Sequence, residues 1–496
     1  LKSDKSKTRV IPQVQNHNLE DYRWILKEHI GLDAVMQKPK FLGLRKMSKA
    51  FNYFYDRLGE DVEGRDGIEC VRCLLDICRL VCSAVVVQIT VDSHADAYTL
   101  FASLNNRGVP LSAVDLIKNM LLGKVAGVDD EQLDYYFERW QEVLHNLGDD
   151  YKTQERFFRQ NYDAFRREVN KPFIGESGSQ LPLGSVATRS NLLKIYEKRM
   201  EADDGALKVL DELTENSALY SKIIGLDQES PDSELSHQLL ELSRAQGVAS
   251  YLMLLFLFKK QNQLELKDET LALLVKLLVC FFVRRNLTDT PPTRDLERLF
   301  ISICESLESE ALKGIAAAGY IKKRLVDVSA SDASFKERLE GPIYDVNPDM
   351  TRYILTVIAS PSVTKEMKPL WERYASGNYV WTIEHIFPQG KNIPDEWVKM
   401  VADGDMSKAI EVQEKQVHTL GNLTITGYNS KLSNMPFVTK RDRKDVYGAN
   451  VGYRNGLNLN DELVNTDTWT SEQIQERTDK LVGLTLKAFD FDEIEF

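Results

Sequence analysis

Over most of its length the chain places apolar residues three or four positions apart, the repeat of a helix that buries one face. In the first quarter this pattern predicts helices over Leu19–Ile30, Phe41–Leu58, Ile68–Cys82, Ala95–Leu104 and Ala113–Leu122. Ser112, with Asp115 three residues on, has the form of a capping box for the last of these. Amphipathic runs then recur at Gln132–Leu147, Gln154–Val169, Leu192–Ala202, Ala206–Ile224, Ser233–Ala245, Ala249–Lys260, Thr270–Arg285 and Thr293–Glu310. Leu271–Val283 is the most apolar run. It contains Lys276 and is shorter than the ~20 residues of a membrane span, so a buried helix accounts for it. Only Ala84–Val91, Tyr379–Glu384 and Leu423–Thr426 read as strands. The expected fold is mainly α with small α+β parts. It divides into an α/β remainder over residues 1–124, a helical middle over 125–345 and a second small α+β domain over 346–496. The Gly-, Ser- and Pro-rich segment Pro172–Ser190 reads as a loop or linker within the middle.

Composition narrows the function classes. A net charge of −12 argues against a protein that coats nucleic acid through overall charge, while a local groove of a few Lys and Arg stays compatible with it. No span and no signal peptide is expected, so the reading is cytoplasmic, without a membrane partner. The chain opens on Leu1 rather than Met, and a segment before it is expected to be missing. Four of the six cysteines, Cys70, Cys73, Cys78 and Cys82, share one helical stretch. Cys70-x-x-Cys73 has the spacing of half a zinc site, but no second pair follows, and buried free thiols in a reducing compartment fit better. Arg156, Arg159, Arg166, Arg167 and Lys171 are interleaved with Phe157, Phe158, Tyr162 and Phe165, a mixture that suits base stacking beside phosphate contact. The plainer alternative is a core helix with solvated arginines. Arg284-Arg285, ending an apolar helix, complement its dipole, pair in the interior or touch a ligand.

The chemistry concentrates between Tyr379 and Arg443. A short strand delivers Glu384 and His385. Gly421-Asn422 opens a second strand, and Asn429, Asn434 and Lys440 fall on one short helix, Ser430–Asn434, and its exit. Phosphodiester hydrolysis needs a base for water, positive charge on the phosphoryl oxygens and help for the departing oxygen. His385 suits the base, since an ordinary imidazole titrates near pH ~6.5. Glu384 and an asparagine carbonyl are hard oxygen donors suited to Mg²⁺ or Mn²⁺. Neighbouring strand residues face opposite ways, so Glu384 and His385 share a site only if the strand ends or twists there. Asn422 is placed to hold the intervening loop through its amide, and Lys440, Arg441, Arg443 and Lys444 would grip the DNA backbone. His418 either approaches the site or simply packs. On spacing alone, a structural Glu-His pair followed by Asn-rich turns stays the stronger alternative.

The joint pattern WTIEHIFPQ…VHTLGNLTITGYNSKLSN, over roughly residues 375–445, resembles the His-Me finger (HNH) nuclease domain of the GmrSD family of modification-dependent, type IV restriction enzymes. The resemblance implies a ββα-metal fold with His385 as general base and Asn422 as the loop-ordering residue. It also implies Glu384 as the strand-borne metal ligand, directly or through water. Asn429 is the helix-borne ligand, with Asn434 as second choice. FASLNNRGVPLSAVDLIKNMLL (101–122) is similar to the GmrS-type domain, which has a ParB/sulfiredoxin-like fold and is associated with nucleotide hydrolysis. By that likeness Asn105, Arg107 and Gly108 line a pocket for an NTP, GTP or similar. The family's Asp-Gly-Gln-Gln-Arg motif is absent from these residues, which puts nucleotide turnover by this chain in doubt. The related SspE-like proteins sense phosphorothioate DNA.

The expectation is therefore a metal-dependent anti-phage DNA endonuclease acting on modified or phage-derived double-stranded DNA, under control of a nucleotide-hydrolysing sensor domain. A homodimer stays open. The rivals are a nucleotide-switched DNA-binding scaffold with a degenerate HNH part, and an RNA-cleaving toxin nuclease.

Overall fold

The computed structural model describes residues 18–39, 42, 46–85, 112–126, 133–170, 185–201, 205–227, 233–364 and 366–496. It is 67% helix and 3% strand, the mainly α fold the periodicity predicts, with one two-stranded sheet among the described residues. The chain falls into two compact units, residues 1–162 with 166–221, and residues 163–165 with 222–496.

In the first unit, helices run over Asn18–Ile30, Lys46–Val62, Gly67–Cys82, Ala113–Ala126, Leu133–Leu147, Tyr151–Val169, Leu192–Arg199 and Gly205–Ile223. Ser112 caps its helix: its hydroxyl accepts from the Asp115 N–H and donates to the Asp115 carboxylate. One reading needs correction, and one pair of alternatives is decided for the plainer of the two. The helix Gly67–Cys82 forms, but none of its residues is buried. Its Cys70 and Cys73 thiols lean on carbonyls of Val62, Arg65 and Asp61, the end of the preceding helix and the turn after it. The aromatics of Tyr151–Val169 are no stacking platform for bases. Phe157, Phe158, Tyr162 and Phe165 are all buried, because the helix turns its apolar stripe inward and leaves its arginines at the rim. Most of the expected strand Ala84–Val91 lies outside the described residues.

The second unit is built around the helix Asp268–Thr288, which buries 13 of its 21 residues. It is apolar on every face, and such a helix is stable only when surrounded. Neighbours on its flanks are Glu234–Arg244, Gly314–Val328, Asp332–Glu340 and Pro348–Ala359. Arg284, near its C-terminal end, is a clasp rather than a ligand. It pairs with Asp332, donates to Ala330 O and Phe489 O, and lies over the rings of Phe335 and Phe491. Arg285 closes its own helix end through Pro291 O, Asp289 and Thr293.

Arg352, on Pro348–Ala359, fastens the segment that leads into the sheet. Its guanidinium lies between Trp371 and Tyr379, 4.2 and 3.7 Å from the ring centres, and donates to Leu370 O and Trp381 O. Strand β1 (Thr382–His385) then pairs antiparallel with β2 (Leu423–Thr426), Glu384 opposite Thr424 and His385 opposite Leu423. The helices Asp395–Ala402 and Met406–Gln416 fill the connection, and the short helices Asn429–Leu432 and Phe437–Asp442 follow β2. Phe387, Trp397, Phe437 and Trp469 form one core beneath them, with the Phe437 and Trp469 rings stacked at 5.7 Å.

The last helix, Ser471–Ala488, packs across the turn before β2 and against Pro348–Ala359. Its N-terminus is closed by a capping box on Thr470. Thr470 accepts from the Gln473 N–H while the Gln473 side chain returns to the Thr470 N–H. No helix among the described residues is long and apolar enough to cross a membrane.

Candidate active site

The loop after β1 is held by one side chain. Asn422 is fully buried at the start of β2, and its Oδ1 accepts from the Phe387 N–H at 2.8 Å. Its Nδ2 donates to Phe387 O at 2.9 Å and Val417 O at 3.0 Å, and Trp469 Nε1 adds a longer contact to Oδ1. Only an amide, with a donor and an acceptor on one planar head, closes both edges of residue 387. Gly421 precedes it because nothing larger fits. A Cβ there would lie 2.0 Å from Ile474 O and 2.3 Å from Thr478 Oγ1. The turn is further stapled by Arg477, which is buried and donates to Gly421 O, Leu423 O and Leu459 O. Arg477 escapes a reading of motifs, although one signal for it exists. It shares the helix face of Ile474, Thr478 and Leu481, where a solvated arginine has no place.

β1 does not bring Glu384 and His385 together. The strand keeps its alternation to its end, so the two side chains leave on opposite faces. Glu384 is 3% exposed and receives the Lys440 ammonium at 2.6 Å. Lys440 is fully buried and also donates to His385 O at 2.9 Å and Ile386 O at 3.1 Å. Burial pushes the Glu384 carboxyl up and the Lys440 ammonium down, and their mutual attraction opposes both shifts. This corrects two expectations. Glu384 is committed to a buried pair rather than offered to a metal beside His385. Lys440, with all three protons donated inward, has none for a phosphate.

His385 is 7% exposed, and its Nε2 lies 3.0 Å from His418 Nδ1. The Tyr344 ring covers both, edge-on to His385 at 4.8 Å and stacked on His418 at 5.3 Å. His418 Nε2 in turn lies 3.5 Å from Asp345 Oδ1. Burial first, then the neighbouring His418 and Lys440, push the His385 imidazole down to about 3, so it is neutral at physiological pH.

The expected single helix carrying Asn429 and Asn434 is interrupted. It runs only from Asn429 to Leu432, stopped by Ser433 at φ +43°, and a second helix starts after Pro436. Asn434 is therefore on neither helix. It lies exposed against Gly390, where a Cβ would meet its Nδ2 at 3.1 Å. Asn429 stays at the hairpin, its Nδ2 donating to Ile383 O at 2.6 Å, which leaves its carbonyl oxygen as the remaining donor atom for a ligand.

Arg441 is turned inward onto Asp442, Asp467 and Thr466 O, and these carboxylates hold its guanidinium above its ordinary range. Arg443 is half-buried against Met435 Sδ, and Lys444 is exposed. Asn105, Arg107 and Gly108 lie outside the described residues.

The fit to a divalent ion is partial. No group of three His, Cys, Asp or Glu side chains able to hold a metal occurs among the described residues, and Glu384 is taken. The amides of Asn429 and Asn434 are the hard oxygen donors that remain. The Asn429 amide is at Ile383 and the Asn434 amide at Gly390; Mg²⁺ needs few such protein ligands beside substrate phosphate, because it keeps several waters. Elsewhere in the unit, a cavity of about 440 Å³ is lined by Arg244, Tyr353 and Trp371 and contains none of these residues.

Two family models match the chain. The N-terminal domain of the GmrSD restriction endonuclease matches residues 2–122, and the C-terminal domain of GmrSD restriction endonucleases matches residues 329–484. No curated protein matches. The C-terminal match spans the hairpin, the Gly421-Asn422 turn and the Arg477 staple. Both domains are matched in order on one polypeptide and take in more than half of it, so the chain belongs to the GmrSD family of restriction endonucleases.

Proposed function

We propose that the C-terminal part of this restriction endonuclease is a nuclease of the HNH, or His-Me finger, type that hydrolyses foreign double-stranded DNA with His385 as general base. One observation carries the reading: His385 closes a strand whose following loop is fastened, edge to edge, by the Asn422 amide of the paired strand. A base must be neutral and fixed before it takes a proton from water. The His385 ring is neutral near pH 7 by burial and is packed against Tyr344. Arg443 and Lys444 are the remaining cations of the basic run for the DNA backbone. A divalent ion, Mg²⁺ or Mn²⁺, bound through the amide oxygen of Asn429, with Asn434 as second choice, would supply positive charge to the phosphoryl oxygens.

We further infer that the N-terminal domain governs this activity through an NTP, GTP or similar, and through recognition of modified phage DNA in the cytoplasm. The support is the Asn105, Arg107 and Gly108 segment and its likeness to a nucleotide-hydrolysing domain. The deciding experiment is nicking of supercoiled plasmid, modified against plain, with and without Mg²⁺ and NTP. His385→Ala is expected to abolish nicking while leaving the fold intact. Full nicking by that variant refutes the assignment. DNA affinity without metal-dependent nicking by the parent chain identifies a degenerate nuclease acting as a scaffold, and preference for RNA identifies a toxin.

A further inference from the structure

We propose that His418 and Asp345 are positioning residues that fix the tautomer of His385, leaving its Nδ1 as the lone-pair atom offered to water. The inference rests on the reading of His385 as the base.

The geometry forces a choice of protons. Two imidazole nitrogens 3.0 Å apart, His385 Nε2 and His418 Nδ1, form a hydrogen bond only if one carries a proton and the other does not. Asp345 decides which. Its carboxylate oxygen, 3.5 Å from His418 Nε2, only accepts, so it favours a proton on that nitrogen. A neutral imidazole has one N–H, and with the proton on Nε2 the His418 Nδ1 is bare. It must then accept, so His385 Nε2 donates and His385 Nδ1 keeps its lone pair. The order is carboxylate, imidazole, imidazole, the logic by which a buried carboxylate sets the tautomer of a catalytic histidine.

Among the described residues, no other ring or carboxylate contact of His385 does this. Glu384 leaves the strand on the other face and is taken by Lys440, whose ammonium meets the His385 backbone oxygen and not its ring. Tyr344 restrains both rings from one side, and its N–H donates to His418 O at 3.3 Å, tying the helix Ile343–Val346 to the pair. Asp345 is 60% exposed at a longer distance, so it is the weaker of the two members.

The test uses the full chain, whose seven histidines permit selective ¹⁵N labelling, with His385 assigned by its loss in His385→Asn. Long-range ¹⁵N–¹H spectra are expected to show His385 protonated at Nε2, and His418→Ala to abolish that preference. In the plasmid assay His418→Ala is expected to slow nicking on the order of 10²-fold, the lower end of what a placed base contributes. His418→Asn, whose Oδ1 accepts from the same δ position, is expected to recover most of the rate and the tautomer. Asp345→Asn is expected to lose severalfold.

A His385 protonated at Nδ1 in the parent chain overturns the proposal. So does a His418→Asn variant that folds and is as slow as His418→Ala. Should the parent chain fail to nick at all, the nuclease reading falls while the tautomer measurement still decides the relay. Should His418→Ala fail to fold, the parent spectrum and the Asn variant carry the test.

Discussion

Lys440→Met separates a buried structural lysine from a DNA-binding one. The substitution keeps the length of the side chain and removes its charge, leaving Glu384 buried without its partner and the carbonyls of His385 and Ile386 without their donor. An isolated carboxylate 3% exposed does not stay ionised, so it takes up a proton. At pH 7, protonating a carboxyl whose ordinary value is 4.5 costs about 3.4 kcal/mol, at about 1.36 kcal/mol per pH unit. That agrees with the ~3–5 kcal/mol found when one partner of a buried pair is removed. At about 2–4 °C per kcal/mol for a unit of this size, melting should fall by roughly 7–14 °C.

Two controls make the cause visible. At pH 5.5 the deficit should shrink by about 2 kcal/mol, because the proton is cheaper to bind. Adding Glu384→Gln to Lys440→Met should recover much of the loss at pH 7, because no charge is left to bury. Thermal unfolding of the full chain followed by tryptophan fluorescence reads all of this, since Trp397 and Trp469 are buried in the affected core. An unchanged melting temperature, together with weaker DNA binding and a shallower salt dependence, would refute the reasoning and return Lys440 to the DNA surface.

Other substitutions probe the same framework. Gly421→Ala drives a Cβ against the backbone of the last helix and should destabilise by more than ~3 kcal/mol, read as lost soluble yield or a melting drop above roughly 6 °C. For His385 the folded value lies below the ordinary one, so between about pH 6.5 and 3 the unfolded chain binds the extra proton and stability falls as pH falls. In urea titrations this slope should be about 1.4 kcal/mol per pH unit steeper for the parent than for His385→Asn; equal slopes would mean the ring is not desolvated. Arg443→Ala with Lys444→Ala should leave melting within about 2 °C while lowering the salt slope of DNA binding by up to about 2, and an unchanged slope removes both from the interface.

What the sequence revealed and what it hid divide along a physical line. The helical middle and the hairpin follow from periodicity, which states which face is buried, and Asn422 follows from the few ways an amide can close a tight loop. Lys440 did not follow, because a basic run reads as solvated. Only the turn of Phe437–Asp442 shows that its fourth residue points into the sheet. Asn434 reads as helical because nothing in NSKLSN announces Ser433 at a left-handed φ. The alternation of β1 already argued against Glu384 and His385 sharing a site, and the structure sides with that local rule.

The Arg477 staple has a consequence in time. β1, the Asn422 turn and the helix at Asn429 all leave the ribosome before the helix Ser471–Ala488 that locks Gly421. At roughly 5–20 residues per second, a growing chain carries every residue of the motif for seconds without the clasp that shapes it. The Gly421-Asn422 turn therefore takes its final, stapled form only once that helix has emerged and packed on it.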